Sequence, residues 1–204
     1  MRKILESILL PPQIKQIYLS NSLAEIIGIL LGDGNLCRNQ IMIFFDKRDK
    51  NYIHYVKLLF QKVTGISLKE LAEKSGNQFR LYCCNKYLSK KLIDFGLKRG
   101  DKIVNQLGVP AWVKENEKYS KRCLRGLVDT DGSIIFSKRD KQISINFTNH
   151  NYQLMQDFKE IALKLNYHFA KANWRNTRLY RKEEVARFIN DIKPFKTRGR
   201  SIAW

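Results

Sequence analysis

Two aspartates, Asp33 and Asp131, close matching nonapeptides. Ile26-Ile-Gly-Ile-Leu-Leu-Gly-Asp-Gly34 and Leu124-Arg-Gly-Leu-Val-Asp-Thr-Asp-Gly132 both read apolar, x, Gly, apolar, apolar, x, small, Asp, Gly. Two carboxylates that meet at a basic surface make a site for a hard cation, and oxygen ligands with retained water suit Mg²⁺. Metal ions bridging carboxylates and a phosphodiester stabilise in-line displacement and supply hydroxide near neutral pH. The same cation relieves the repulsion that otherwise raises one carboxyl pKa. This chemistry needs no histidine, and neither segment holds one.

Something must bring the two aspartates together. Read as helices that end at Gly34 and Gly132, the segments place Gly28 and Gly32, or Gly126 and Thr130, four apart on one face. Small residues there let a second helix backbone approach closely. Packed through these faces with pseudo-two-fold symmetry, the helices end side by side, and Asp33 and Asp131 emerge together.

The flanks repeat as well. Ile41, Ile43 and Phe45 alternate with Met42, Phe44 and Asp46, and Ile143, Ile145 and Phe147 with Ser144, Asn146 and Thr148. A period of two specifies strands. Tyr52, Val56, Leu59, Phe60 and Val63, then Leu154, Phe158, Ile161 and Leu165, recur at helical spacing. Further strands are expected at Ser67–Ala72 and Gln78–Cys83, and at His168–Trp174 and near Arg178–Tyr180. Helices are expected over Lys86–Phe95 and Lys182–Ile192. The longer second copy assigns a hairpin turn to Ser137–Lys141. The fold class is α+β, an αββαββα unit occurring twice. Residues 1–20 read as an N-terminal extension with a short helix ending at Pro11-Pro12, 21–100 as the first repeat, 101–119 as a connection, and 120–204 as the second repeat.

The charge points to the partner. The chain has 38 Lys plus Arg against 19 Asp plus Glu, a net +19. The first 100 residues hold 17 basic and 8 acidic residues and the remainder 21 and 11, so both halves face the same polyanion. The longest apolar runs are too short to span a bilayer. The N-terminus lacks a signal-peptide pattern. Cys37, Cys83, Cys84 and Cys123 form no C-x-x-C pair and read as reduced thiols. Together these place the chain inside the cell rather than among secreted proteins.

The two segments, with their repeated flanks, resemble the LAGLIDADG motif of the homing endonucleases in the single-chain, two-motif form. Leu124–Gly132 matches closely. Ile26–Gly34 departs at Leu31, where the motif's first aspartate usually stands and serves the helix end rather than the metal. The resemblance implies motif helices at the centre and two four-stranded antiparallel sheets forming a saddle in the DNA major groove. It implies a monomer that makes a double-strand break in a long DNA target by Mg²⁺-dependent hydrolysis, in intron homing. The metal set is Asp33, Asp131, Gly32 and Thr130. The catalytic set adds Lys47 and Asn149, at the strand-end position of each half, and Lys102, with Lys196 as its counterpart. Asp46 stays outside the metal set.

Arg, Asn and Gln pair bidentately with purine edges, and Lys mainly holds phosphates. Gln142, Ser144, Asn146 and Thr148 share one strand face, and Gln78, Arg80 and Tyr82 another, both free of carboxylates. Lys171, Asn173 and Arg175 also alternate. Arg38, Gln40, Lys138, Arg139 and Arg178 complete the expected DNA-binding set. An RNA maturase, or a non-cleaving DNA-binding protein on the same fold, is the alternative function. Retention of both aspartates favours the nuclease. A transcription regulator would call for an attached helix-turn-helix region, and an intein for flanking splicing segments, neither of which is expected here.

Overall fold

The computed structural model describes residues 15–73, 76–137 and 142–197. Two units of the same order follow one another. The first is α1 (Asn21–Gly32), β1 (Gly34–Leu36), β2 (Gln40–Asp46), α2 (Lys50–Thr64), β3 (Lys69–Ala72), β4 (Gln78–Cys84) and α3 (Lys86–Asp94). A short helix α4 (Ala111–Lys114) leads to the second: α5 (Glu117–Asp131), β5 (Gly132–Ser137), β6 (Gln142–Thr148), α6 (Tyr152–Lys164), β7 (Ala170–Lys171), β8 (Asn176–Leu179) and α7 (Lys182–Ile192), closed by a 3-10 turn at Phe195–Thr197.

Each motif helix starts at a side-chain cap. Ser20 Oγ accepts from the Leu23 amide at 3.2 Å, and Asn116 Oδ1 accepts from the Lys118 and Tyr119 amides. From Leu23 to Leu31, α1 is buried on every face, as its nearly unbroken apolar sequence requires. It packs against α5 through the small residues that the repeat singled out. A Cβ on Gly28 would stand 2.3 Å from the Cys123 carbonyl oxygen, and one on Gly126 2.5 Å from that of Glu25. Backbone meets backbone at both crossings, which only glycine permits.

The sheets have matching orders, β1-β2-β4-β3 and β5-β6-β8-β7, and every pairing is antiparallel. In the first, Met42 opposes Tyr82 and Phe44 opposes Arg80, while Ile41, Ile43 and Leu81 turn inward and are fully buried. In the second, Asn146 opposes Arg178, and Ile145 and Phe147 are fully buried. Helices α2 and α6 close the inner faces. Phe158 stacks on Phe147 with ring centroids 3.9 Å apart, and Val56 and Phe60 are fully buried.

The structure departs from the expected elements in the second half. The strand expected over His168–Trp174 is only Ala170–Lys171. Beyond it the chain turns: the Ala172 and Asn173 amides both donate to the Asn176 carbonyl, and Asn173 Oδ1 accepts from the Arg175 amide at 2.9 Å. The asparagine side chain supplies the bond that a ladder partner would have made. Helix α5 begins at Glu117, inside the segment read as a connection. The helix expected before Pro11-Pro12 and most of the Ser137–Lys141 turn lie outside the described residues.

Candidate active site

Asp33 caps the C-terminus of α1, and its amide donates to the Ile29 carbonyl at 3.0 Å. Asp131 is the last residue of α5. The helix ends touch: a Cβ on Gly32 would meet Thr130 Oγ1 at 2.0 Å and Asp131 Oδ2 at 3.1 Å. Burial raises the Asp33 carboxyl to about 6, and the charge of Asp131 pushes the same way, against Lys102 and Lys196. Burial raises Asp131 too, opposed first by Asn149, whose Nδ2 donates to Asp131 Oδ2 at 2.7 Å.

Two half-buried lysines complete the centre. Lys102 Nζ donates to the carbonyls of Leu30, at 3.4 Å, and Gly32. Lys196 Nζ donates to those of Val128 at 3.3 Å, Thr130 at 3.1 Å and Gly132 at 2.5 Å. Leu30 and Gly32 hold the places in the first motif that Val128 and Thr130 hold in the second, so the ammoniums are pseudo-symmetry mates. Each sits at the negative end of a helix dipole. Burial depresses both ammonium pKa values; Asp131 and Asp33 draw Lys102 back up, and Asp129 first, then Asp33 and Asp131, draw up Lys196.

The donor set fits a hard divalent cation. Two carboxylates, destabilised by burial and, at Asp33, by the other's charge, supply oxygen donors, beside the Gly32 and Thr130 carbonyls that already accept from Lys102 and Lys196. Among the described residues no group of three or more His, Cys, Asp and Glu is placed to hold a metal ion.

The strand-end residues diverge. Asn149 touches Asp131, but Lys47 is turned away from Asp33: its ammonium donates to the Gly76 carbonyl at 2.6 Å, in the β3–β4 connection. Asp46 is engaged by Arg48, whose Nη2 donates to it at 2.5 Å, and that guanidinium holds its carboxyl down at about 2.

Sequence reading missed two residues that hold this centre together. Asp129 accepts from the Phe195 and Lys196 amides. Asn151 Nδ2 donates to the Lys102 carbonyl at 3.1 Å and that of Leu107 at 2.7 Å. Asn151 had a readable signal, since an asparagine before a helical period is an N-cap, and its Oδ1 does accept from the Leu154 amide.

On the outer sheet faces, Gln142, Asn146, Thr148 and Arg178 stand together, as do Gln40, Gln78, Arg80 and Tyr82. Arg38 is exposed on the β1–β2 turn. The other candidates are placed less openly. Ser144 is on the outer face but covered, because Arg178 Nη2 donates to its hydroxyl at 2.9 Å. Lys171 opposes the buried Thr177 and faces Lys159 on α6, the inner side, because the two-residue β7 fixes Ala170 outward. Asn173 and Arg175 belong to the turn, where Arg175 lies 4.2 Å over the Trp174 ring. Nor is the first face free of acid: Glu73 accepts from Arg80 at 2.5 Å. Lys138 and Arg139 lie outside the described residues.

Residues 118–193 match the LAGLIDADG-like domain family. The fold is shared with the homing endonuclease I-DmoI in complex with DNA and Mn, at TM-score 0.54 and 15% identity over 84% of this chain and 96% of that one. I-WcaI bound to its DNA recognition sequence gives 0.53 and 20%, over 93% and 92%. Full-length DUF199/WhiA from Thermatoga maritima gives 0.60 and 12%, over 90% and 59%. Two curated proteins are each 27% identical: the replication factor C small subunit of Methanocaldococcus jannaschii over 57% of the chain, and the tRNA-splicing ligase RtcB of Methanopyrus kandleri over 67%. The matched part is 7% and 15% of their lengths.

Proposed function

From a chain with the LAGLIDADG fold in its single-chain, two-motif form, we infer a site-specific homing endonuclease that breaks both strands of a long DNA target. The observation that carries this reading is the convergence of Asp33 and Asp131 at touching helix ends, each helix end bearing a half-buried lysine. A protein that only binds has no use for two half-buried carboxylates whose ionisation is opposed by desolvation.

Asp33 and Asp131, beside the Gly32 and Thr130 carbonyls that Lys102 and Lys196 also engage, would hold Mg²⁺. When bound, the cation polarises the scissile phosphate and lowers the pKa of its water. Lys102 and Lys196 offset charge that develops on the phosphate oxygens. Asn149 fixes the rotamer of Asp131 through its 2.7 Å bond. The two lysines are related as the two strands of a duplex are, one for each cut. Around them the +19 chain attracts the phosphate backbone, and Gln142, Asn146, Arg178, Gln78 and Arg80 face base edges.

Binding without cleavage is the second reading, since a shared fold does not fix an activity. The experiment is incubation of the chain with Mg²⁺ and a randomised duplex pool, with cut ends recovered by sequencing. One long, partly palindromic site is expected. Tight, salt-dependent binding of DNA or structured RNA with no cut ends would establish the second reading instead.

A further inference from the structure

The two lysines are equivalent, but the segments that carry them are anchored by different means. In the first half the motif position two before the aspartate is Leu31, a buried hydrocarbon. Lys102 is placed by other groups: Asn151 donates to its carbonyl, and Asp101 Oδ1 accepts from the Ile103 and Val104 amides. In the second half that position is Asp129, 3% exposed. Asp129 Oδ2 accepts from the Phe195 amide at 2.9 Å and Oδ1 from the Lys196 amide at 3.1 Å. Arg125 Nε lies 3.8 Å from the same carboxylate. The Phe195 ring packs on Tyr52 and Tyr55 of α2, with centroids 5.2 and 5.1 Å away. The bidentate grip fixes where the Lys196 stem leaves the backbone, and so where its ammonium lies on α5.

We propose that Asp129 is the positioning residue for Lys196, and that this grip, which has no counterpart at Leu31, makes the cutting of one strand dependent on a contact the other strand does not need. The inference rests on the nuclease reading. Asp129 acts on Lys196 through its backbone amide and through its charge, which among the neighbouring carboxylates favours the ammonium most. A misplacement of about 1 Å costs roughly 10²-fold in such a site, and the loss falls on the strand that Lys196 serves.

The test is a single-turnover assay on the cleaved target with each strand labelled separately. Asp129→Leu, which installs the first motif's own residue, is expected to slow one strand by roughly 10²-fold and leave the other within about threefold, so that nicked duplex accumulates. Lys196→Met is expected to slow the same strand. The double variant should be no slower than Lys196→Met alone, because groups that act as a unit are not additive. Asp129→Asn keeps one acceptor oxygen and should show the same strand bias to a smaller degree. It also decides the matter should the leucine variant fail to fold. Equal slowing of both strands, or additive effects in the double variant, would overturn the proposal. A wild-type chain that cuts neither strand would overturn the nuclease reading itself, a distinct result.

Discussion

Asp33 is costly to keep as a carboxylate. Its pKa stands at about 6 against an ordinary 3.8, first because it is buried and then because Asp131 is close. The sign follows from linkage: the folded state binds this proton more tightly than the unfolded chain. Stability is therefore fully present below the ordinary value and is lost as pH rises through about 6, by about 3 kcal/mol from this group. Asp33→Asn should raise the unfolding free energy at pH 8 in chelator, measured by urea denaturation, by about 1–3 kcal/mol, and Mg²⁺ should stabilise the wild type but not the variant. A variant less stable than wild type in chelator would contradict this. Cation binding, followed by calorimetry, should weaken as pH falls through about 6, where a proton competes for the same oxygens. Affinity independent of pH between 5 and 8 would remove Asp33 from the ligand set. The two aspartates were legible because their nonapeptides repeat. The placing of Lys47 was not legible, because its long flexible side chain donates to the Gly76 carbonyl in a connection the repeat does not mark. Asp129 was hidden, since its partners are backbone amides 66 and 67 residues away and its mate in the first copy is a leucine.

At the scale of elements, the α1–α5 crossing sets the aspartate separation. Gly28→Ala would improve helix propensity by about 1 kcal/mol in an exposed helix. Here its Cβ would meet the Cys123 carbonyl oxygen at 2.3 Å, and Gly126→Ala would meet that of Glu25 at 2.5 Å. Both should destabilise by about 1–3 kcal/mol and widen the gap between the helix ends, lowering cleavage as well. An alanine variant of raised stability, measured by urea denaturation, would show that the backbones do not touch there. The strands flanking this crossing were readable to within a residue or two from alternation alone, because one face of each is covered by a helix. β7 was not, since the Ala172 and Asn173 amides turn onto the Asn176 carbonyl and that of Arg175 onto the Asn173 side chain, a turn that leaves no periodic mark.

Across the whole molecule the two halves interlock. The segment after the first repeat is held by the second, through Asn151 and through Asp157, which accepts from the Val109 amide at 2.7 Å. The end of the second repeat packs back on α2 of the first. That exchange was invisible in the sequence, whose repeat suggested only a connecting segment. A net +19 spread over both halves predicts that duplex affinity falls steeply and linearly on logarithmic axes between 50 and 200 mM salt, by about 10³-fold or more. A flat response would remove nucleic acid as the partner. The central claim is that two aspartates from two halves form one cutting centre. Its most direct measurement is Mg²⁺-dependent cleavage of the recovered target by wild type, Asp33→Asn and Asp131→Asn, with binding measured in parallel. The account predicts a double-strand break by wild type, none by either variant, and affinities within a few-fold of one another. Cutting of both strands at the wild-type rate by either variant would contradict it.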